Sequence, residues 1–346
     1  MLRYVSVAAL ALALSAPLQP AAAQSSKEFY SGKNLRVIVG FRAGGLTDLD
    51  ARLAARFIVH HLPGKPTPVV QNVPGAGSVQ AANQLYNISP RDGTELGSVQ
   101  RGIVMMPLFG QTGVRFDVQK FTWIGSRSGE VTLGVVWATV PVNSLADVRN
   151  RQVIVGSTGG GADTNEMPLL MNATAGTKFK VVKGYKGGSE INIAIEKGEV
   201  EGRLGWSYNA LMGTKSQWVR DRKVKIIMQL ALKPHPALPD VPLALDLAVD
   251  DARRQVMKLY ASRQELGFPL LAPPGLPAER TRELRGAFLA MTRDPGYLAE
   301  AKKMQIEVDP RSGEDLERLI AEMYKTPPEV VALARKLMTE QGMIYK

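Results

Sequence analysis

Cysteine is absent from this 346-residue chain, so its fold contains no disulfide and offers neither a thiol nucleophile nor a thiolate metal ligand. Histidine is almost as scarce, because the chain has three, and none of them has a second metal ligand at a suitable spacing. The Gly-x-Ser-x-Gly turn that presents a catalytic serine is missing as well. These absences disfavour an enzyme, and we expect no catalytic residue, no metal and no cofactor.

Long hydrophobic runs are missing from residue 24 onward, where the most apolar stretch, over 131–142, is too short to span a bilayer. The first residues differ: Arg3 precedes a mostly apolar segment from Val5 to Ala16, and small residues precede Gln24. This pattern is typical of a secretory signal peptide, which we place over residues 1–23. Since no cysteine follows to carry a lipid, we expect a periplasmic protein that is exported and not lipid-anchored.

A continuous basic stripe is also lacking, although the formal net charge is +11. Lysine and arginine are scattered along the chain, and the densest basic run, over 220–223, is interrupted by Asp221. Nucleic-acid binding favours clustered basic residues with stacking aromatics, so we expect no nucleic-acid partner. A scattered positive charge instead favours a small anionic ligand, which the field of the protein attracts.

The chain does have a series of glycine-rich turns, each placed after a short apolar run, over residues 40–48, 71–78, 156–163 and 185–189. The alternation of β-rich runs with helical patterns predicts an α/β fold. The first N–H groups of a helix have no partner within the helix, and glycine lets a ligand approach them closely. Several such turns predict a site that holds a carboxylate or phosphate from more than one side. The third turn reads Gly-Ser-Thr-Gly-Gly-Gly and lacks the spacing of a dinucleotide-binding turn.

Some residues near these turns allow two interpretations. The first predicted helix covers residues 46–62 and has Leu49 on its apolar face. Asp48, at its start, is most simply an N-cap, although it also borders the turn. Arg42 is either a solvated cation or the partner of a bound carboxylate. A strand is predicted over residues 200–204, and Trp206, Tyr208 and Asn209, which follow it, either line a cleft or pack in the core.

Seven short motifs occur in the order that is typical of one transport family. They are Phe41 to Asp48 with Ala51-Arg52, Asn72 to Gly77, Pro90 to Leu96, Gly156 to Gly161, Tyr185 to Gly187 with Gly198 to Glu201, Leu238 to Pro242, and Ala272 to Pro277. Each motif alone is common, whereas all seven in this order are specific. The chain resembles the Bug family, the extracytoplasmic solute-binding proteins of tripartite tricarboxylate transporters, over nearly its whole mature length.

The resemblance implies an α/β fold of the two-domain periplasmic-binding-protein kind, a type II-like Venus flytrap with the ligand cleft between the domains. Domain I is then expected at residues 24–126 plus 250–346, and domain II at 127–249. The resemblance also implies a monomer that captures a small organic anion, either a di- or tricarboxylate or an aromatic carboxylate. The protein then delivers this anion to the integral membrane permease subunits of the transporter. The alternative is an exported enzyme or a ligand-sensing carrier that acts on a small carboxylate without a permease.

The turns and the resemblance together predict the ligand-binding residues. On one side of the cleft they are Phe41, Arg42, Ala43, Gly44, Gly45, Thr47, Asp48, Gly75, Ala76, Gly77 and Arg101. On the other side they are Ser157, Thr158, Gly159, Gly160, Gly161, Asp163, Tyr185, Lys186, Gly187, Trp206 and Asn209. The chain departs from the family pattern where Arg42 and Ala43 replace prolines, where residues 204–207 lack an aspartate, and where residues 162–166 are unusually acidic. We expect these departures to determine which anion is bound.

Overall fold

This computed structural model describes residues 29–158 and 162–343. The strands of these residues form two β-sheets. The predicted signal peptide over 1–23 lies outside these residues, as do Gly159, Gly160 and Gly161. The first sheet consists of β1 (Asn34–Val39), β2 (Thr67–Asn72), β3 (Glu95–Ser98), β4 (Thr122–Ser126), β10 (Pro269–Ala272) and β11 (Arg311–Ser312). The second sheet consists of β5 (Thr132–Trp137), β6 (Val153–Ser157), β7 (Phe179–Lys183), β8 (Gly202–Ser207) and β9 (Val224–Leu230).

Both sheets are mixed, with a parallel part and an antiparallel part. The strand order is β11-β4-β10-β3-β1-β2 in the first sheet and β7-β6-β8-β5-β9 in the second. Strand β1 runs parallel to β2 and β3, and β6 runs parallel to β7 and β8. The other pairings are antiparallel. Because helices connect the parallel strands, the predicted α/β class is confirmed.

Ten α-helices pack on these sheets within the described residues. They are α1 (Leu46–Ile58), α2 (Val79–Asn87), α3 (Asp163–Ala175), α4 (Gly188–Glu196), α5 (Tyr208–Arg220), α6 (Asp251–Gln264), α7 (Ala278–Met291), α8 (Pro295–Lys303), α9 (Gly313–Tyr324) and α10 (Pro328–Glu340). Helices α1 and α7 share one hydrophobic cluster with Leu35 and Val37 of β1, while Ile38 packs with α2 on the opposite face. Strand β1 is therefore covered on both faces, which explains its nearly continuous apolar sequence. No helix in the described part of the chain combines the length and the apolar character needed to span a bilayer.

The chain passes between the two sheets twice, through residues 127–131 and 231–268. The strands of the first sheet come from residues 34–126 and 269–312, and those of the second from residues 132–230. Helix α6 contacts α3 and also α10, so it lies where the two halves of the molecule meet. The domain boundaries at 126/127 and 249/250 remain a prediction.

Two predicted elements have different ends from those that the sequence indicates. The first helix was expected over 46–62, but the α-helix ends at Ile58 and continues as a 3-10 turn, Val59–His61. Leu49, expected on its core face, is 42 % exposed, because Ala51, Leu53, Ala54 and Ile58 form the buried face instead. Strand β8 was expected to end at Leu204 and runs on to Ser207.

Candidate functional site

The direction of the strands brings the glycine-rich turns together. Parallel strands end at the same edge of a sheet, so the segments that leave β1, β2 and β3 start side by side. The same holds for the segments that leave β6, β7 and β8. We call the turns after the first three strands the first wall, residues 40–48, 73–78 and 99–101. We call the segments after the other three the second wall, residues 158, 162–164, 184–188 and 207–209.

Asp48 holds the first turn together from inside helix α1. Its Oδ2 accepts hydrogen bonds from the backbone N–H of Gly44 at 2.8 Å and from the Arg52 guanidinium at 3.0 Å. Its Oδ1 accepts from the Asn72 amide at 2.7 Å, and that amide also donates to the Phe41 carbonyl at 2.9 Å. Burial alone would raise the pKa of Asp48, but these hydrogen bonds lower it to about 2. An ionised Asp48 therefore orders the turn that follows β1.

The prediction that Asp48 is the N-cap of this helix is wrong, because the N-cap is Gly45. Helix α1 begins at Leu46, two residues before Asp48, so the aspartate lies in the first helical turn. From there its side chain reaches back to the N–H of Gly44, which precedes the N-cap. The first N–H groups of the helix itself receive no side-chain cap. The aspartate thus orders the turn and leaves the helix N-terminus unoccupied.

Helix α4 in the second wall repeats this arrangement. Its N-cap is Gly187, and no side chain caps its first N–H groups. The Glu190 carboxylate, in the first turn, accepts a hydrogen bond at 2.8 Å from the backbone N–H of Lys186, which precedes the N-cap. Both walls therefore contain a turn that an acidic side chain of the following helix fixes in place.

The turn after β2 has an unusual backbone. Its residues Gly75, Ala76, Gly77 and Ser78 have φ angles of 153°, 45°, 60° and 73°. Side chains other than glycine rarely adopt positive φ, so Ala76 and Ser78 are strained. Gly75 has a φ that L side chains rarely adopt, so its backbone conformation favours glycine. Backbone strain of this kind is common at functional sites.

Hydrogen bonds of Ser78 hold the strained turn against its neighbours. The Ser78 hydroxyl donates to the Gly40 carbonyl at 3.3 Å and accepts from the N–H of Gln100 at 3.2 Å. The Gln100 side chain in turn donates to the Gly77 carbonyl at 2.6 Å. The three turns of the first wall are therefore connected into one unit that reaches Arg101.

Four of the five helices that start in the two walls share one property. Within the described residues, no side chain is hydrogen-bonded to the N-terminal N–H groups of α1, α2, α3 or α4. The fifth, α5, is capped by the Ser207 side chain, and α6, α8 and α9 also have side-chain N-caps. Helices α7 and α10, which follow prolines and start outside the walls, have no side-chain cap either. An uncapped N-terminus leaves N–H donors for a ligand, and the helix dipole adds roughly half a positive charge there. The two walls thus present several backbone donors suited to an anion.

Ion pairs connect the first wall to the second. Arg101, which follows β3, donates to Oδ2 of Asp163 at the start of α3. Arg263, near the end of α6, donates to Oδ1 of Asp163 at 2.9 Å and to Glu166 at 3.0 Å. The Arg263 side chain is 7 % exposed. We call these four residues the ionic bridge.

Burial and charge act in opposite directions on the acids of the ionic bridge. Burial alone would raise the pKa of Asp163, but the charges of Arg101 and Arg263 hold it below its ordinary value. For Glu166 burial dominates and raises the pKa, although Arg263 opposes it. Burial disfavours the charge of Arg263, yet Glu166 and Asp163 raise its pKa. The bridge is therefore strongest with Asp163 ionised and Arg263 protonated.

The predicted residues of the second wall lie close to one another where the structure describes them. Ser157 is buried at the end of β6, and the N–H of Thr158 donates to the Thr164 hydroxyl at 3.1 Å. The N–H of Tyr185 donates to the Ser157 carbonyl at 3.4 Å, which joins the turns after β6 and β7. Tyr185 is half-buried and Lys186 is exposed.

Arg42 is exposed and forms no ion pair or hydrogen bond within the described residues, so its guanidinium is available to a ligand. Ala43, Gly44 and Gly45 beside it are exposed as well, and Thr47 is half-buried.

Of the two interpretations of Trp206, its position supports core packing. Because β8 continues to Ser207, Trp206 lies within the strand, where alternate residues face opposite sides. Its side chain is 2 % exposed and belongs to the hydrophobic cluster of the second sheet. On the other side, Gly205 lies against the backbone of Asp163, where a Cβ would overlap. In strand β8, Gly205 packs against the second wall at Asp163, whereas Trp206 packs in the core.

Sequence reasoning missed three charged residues, Arg263, Glu166 and Glu130. Arg263 lies in a segment of α6 that reads as a solvated helix face, although it and the adjacent Gln264 are buried. The unusual acidity of residues 162–166 was the available signal, because buried acids require nearby cations. Glu130 lies where the chain first crosses between the sheets, is 4 % exposed, and has no such signal.

Comparison with known proteins identifies the family. The model of the tripartite tricarboxylate transporter family receptor matches residues 51–333. The UPF0065 protein in the gbd 5' region of Cupriavidus necator is 25 % identical over 334 residues, 94 % of each chain. The solved structure of the periplasmic binding protein BugD is 21 % identical with a TM-score of 0.62, and the match covers 92 % of this chain and 100 % of that one. The structure of MatC from Rhodopseudomonas palustris with bound malate is 20 % identical with a TM-score of 0.60, over 87 % and 99 %. The chain therefore has the fold of the Bug-type solute-binding proteins and belongs to the tripartite tricarboxylate transporter family of receptors.

Proposed function

We propose that this protein binds a small organic anion with at least one carboxylate between its two walls and delivers it to permease subunits in the membrane. The observation that carries the proposal is the convergence of uncapped helix N-termini on both walls. Backbone N–H groups at such termini bind carboxylates without a dedicated cation. The malate bound to the related MatC is an anion of this class.

The free guanidinium of Arg42 adds a charge to the first wall. It is exposed beside Gly44 and Gly45, at the N-terminus of α1, and it has no ion-pair or hydrogen-bond partner among the described residues. A charge-assisted hydrogen bond from arginine to a carboxylate is stronger than a neutral one and is frequently bidentate. We infer that one carboxylate of the solute lies between Arg42 and the start of α1.

Closure of the two walls on the solute follows from the placement of the donors. A ligand that bonds to donors of both walls stabilises the closed arrangement, because an open arrangement offers it half the contacts. We propose that residues 24–126 plus 250–346 move as domain I and residues 127–249 as domain II. The protein acts as a monomer in the periplasm after cleavage of the signal peptide behind residue 23.

A panel of carboxylates added to the mature protein, residues 24–346, tests this proposal. Malate, succinate, adipate, citrate and benzoate are each added at rising concentration while thermal unfolding is recorded. A ligand at a hundred times its Kd adds about 2.7 kcal/mol to the free energy of unfolding. We expect at least one carboxylate to raise the melting temperature with saturation. If none does, and protein released from its native ligand by unfolding and refolding gives the same result, the proposal is refuted.

Recovery of the solute separates a carrier from the alternative, an exported enzyme. The protein is incubated with the carboxylate that binds, the protein is denatured, and the solution is examined by mass spectrometry. We expect the solute to be recovered unchanged in mass and amount, since the donors that the proposal assigns to the carboxylate are backbone N–H groups at the starts of helices. A product that accumulates with time identifies an enzyme.

A further inference from the structure

Four lysines follow one edge of the second sheet. Strand β7 lies at the end of the strand order and pairs with β6. Lys180 and Lys183 lie in β7, Lys178 precedes it, and Lys186 lies in the turn of the second wall that comes next. All four residues are exposed. We call these four residues the lysine edge.

The charges of the lysine edge are not compensated by nearby acids. Residues 167–189 contain these four lysines and no aspartate or glutamate. Their ammonium groups form no ion pair and no hydrogen bond within the part of the chain that the structure describes. By contrast, Lys215 and Lys303 pair with glutamates at 2.9 and 2.6 Å. The nearest acid in the sequence, Glu190, accepts a hydrogen bond from the backbone N–H of Lys186 instead.

Protection of an exposed sheet edge explains only part of this pattern. Charged side chains on an edge strand, lysine above all, prevent the strand from pairing with a second chain. This accounts for Lys180 and Lys183, which lie within β7. Lys178 and Lys186 lie outside the strand. Strand β2, at the edge of the first sheet, contains Pro68 and no lysine. The lysines beyond the strand therefore require a second explanation.

The lysine edge is too long to surround one small anion. A strand rises about 3.3 Å per residue, so Lys178 and Lys183 lie about 16 Å apart along the chain. An apolar side chain, Val249, is 53 % exposed and lies beside Gly176, two residues before Lys178. A row of cations with an adjoining apolar side chain suits a broad anionic surface that is apolar beneath its charges.

The composition of the lysine edge favours lipid over protein as this surface. Protein interfaces are enriched in tyrosine, tryptophan, phenylalanine and arginine, and they are depleted in lysine. Residues 167–189 contain no arginine and no tryptophan, Phe179 is buried, and Tyr185 is half-buried. A lysine close to an anionic bilayer, by contrast, raises the affinity about fivefold and needs no partner of a particular shape.

We propose that the lysine edge binds the anionic phospholipid headgroups of a bilayer and so concentrates the protein at the membrane. Strand β7 ends at the second wall, so this contact brings the turns of that wall close to the membrane surface. The proposal goes beyond the proposed function, because it adds a lipid surface to the solute and the permease and does not depend on which solute is bound. The attraction is electrostatic, and it weakens as the Debye length falls from about 10 Å at 0.1 M salt to about 3 Å at 1 M.

Co-sedimentation of the mature protein, residues 24–346, with lipid vesicles tests the proposal. Vesicles of phosphatidylglycerol and phosphatidylcholine in equal amounts are compared with vesicles of phosphatidylcholine alone. The edge variant combines Lys178→Gln, Lys180→Gln, Lys183→Gln and Lys186→Gln. The matched control variant loses the same charge at exposed lysines that form no ion pair among the described residues, and it combines Lys65→Gln, Lys233→Gln, Lys258→Gln and Lys302→Gln.

The proposal predicts binding of the wild type to the anionic vesicles at 0.1 M salt, and no binding at 1 M salt or to the neutral vesicles. The edge variant should bind at least about tenfold more weakly, whereas the control variant should stay within about threefold of the wild type. Equal losses in the two variants would overturn the proposal, because net charge alone would then explain the attraction. Absence of wild-type binding at 0.1 M salt would overturn it as well.

Two further measurements separate the lipid from other anionic partners. If the wild type binds membranes that contain the permease but not lipid vesicles, the lysine edge contacts a protein and the proposal is wrong. Displacement from the vesicles by millimolar inorganic phosphate at constant ionic strength would also refute it, since that result identifies a site for a small anion. Lys178→Gln with Lys186→Gln leaves β7 protected and should still weaken binding at least about threefold, so aggregation of the fourfold variant does not prevent the test. Binding of the carboxylate is measured separately, and its presence or absence decides the proposed function alone.

Discussion

The ionic bridge predicts how strongly the two halves of the molecule are coupled. Asp163→Asn removes the carboxylate that accepts from both Arg101 and Arg263. Breaking a fully buried ion pair costs about 3–5 kcal/mol, whereas an exposed pair contributes about 0–1 kcal/mol. The side chains of Arg101 and Asp163 are 18 % and 26 % exposed, so they lie between these limits. We expect the substitution to lower the free energy of unfolding by about 1–3 kcal/mol.

Thermal and urea unfolding of four proteins measure this coupling. They are the wild type, Asp163→Asn, Arg101→Met and the double variant, which together form a double-mutant cycle. A loss of about 1–3 kcal/mol corresponds to a melting temperature lower by about 1.5–4.5 °C in a chain of this size. We expect a coupling energy of at least about 1 kcal/mol. Asp246→Asn, which breaks an exposed pair with Arg254 at 3.0 Å, should change the stability by less than about 0.5 kcal/mol.

The pH dependence of the free energy of unfolding tests the ionic bridge in a second way. The pKa of Asp163 is lower in the folded protein than its ordinary value. Its contribution to stability is therefore present above about pH 4 and is lost as the pH falls through the lowered pKa. We expect the gap in stability between wild type and Asp163→Asn to narrow below pH 4. A gap that is absent at pH 7, or a coupling energy near zero, would refute the bridge as a stabilising link.

Three further changes test separate parts of the account. Arg42→Ala should weaken binding of a carboxylate by about 1.5–3 kcal/mol in a titration, and unchanged affinity would assign Arg42 to the solvated surface. Asp50→Asn leaves the buried Arg127 without its ion-pair partner. The free energy of unfolding, measured in urea, should therefore fall by about 3–5 kcal/mol, and a loss below about 1 kcal/mol would contradict this prediction. Gly205 has a φ of 73°, and a Cβ at this position would overlap the backbone of Asp163. Gly205→Ala should therefore lower both the melting temperature and the affinity for the carboxylate. Wild-type values of both would show that the backbone around Asp163 accommodates the methyl group.

The turns of the site were predictable because their signals are local. An apolar run, a glycine turn and an amphipathic helix lie within about twenty residues around Gly44, and the strand, turn and helix form where the sequence indicates. Even there the predicted start of the helix and its buried face were partly wrong. The pattern placed Leu49 in the core and made Asp48 the N-cap, whereas the N-cap is Gly45 and Leu49 is exposed.

The charges of the site were less predictable because their partners are distant in the sequence. Arg101 and Asp163 were both predicted as ligand-binding residues, but 62 positions separate them and nothing local indicates that they bind each other. Arg263 is 100 positions from Asp163 and reads as a surface residue. Trp206 illustrates a smaller difficulty. The sequence pattern ends β8 a few residues too early, and this error decides whether Trp206 is assigned to the strand or to the loop after it.

A crystal structure of the mature protein with a bound carboxylate tests the central claim most directly. Malate, or whichever carboxylate gives the largest thermal shift, is added at saturating concentration. The account predicts carboxylate oxygens about 2.7–3.2 Å from backbone N–H groups at the start of α1 and of at least one helix of the second wall. Density for the solute that contacts only one wall, or that lies away from both, would contradict the claim.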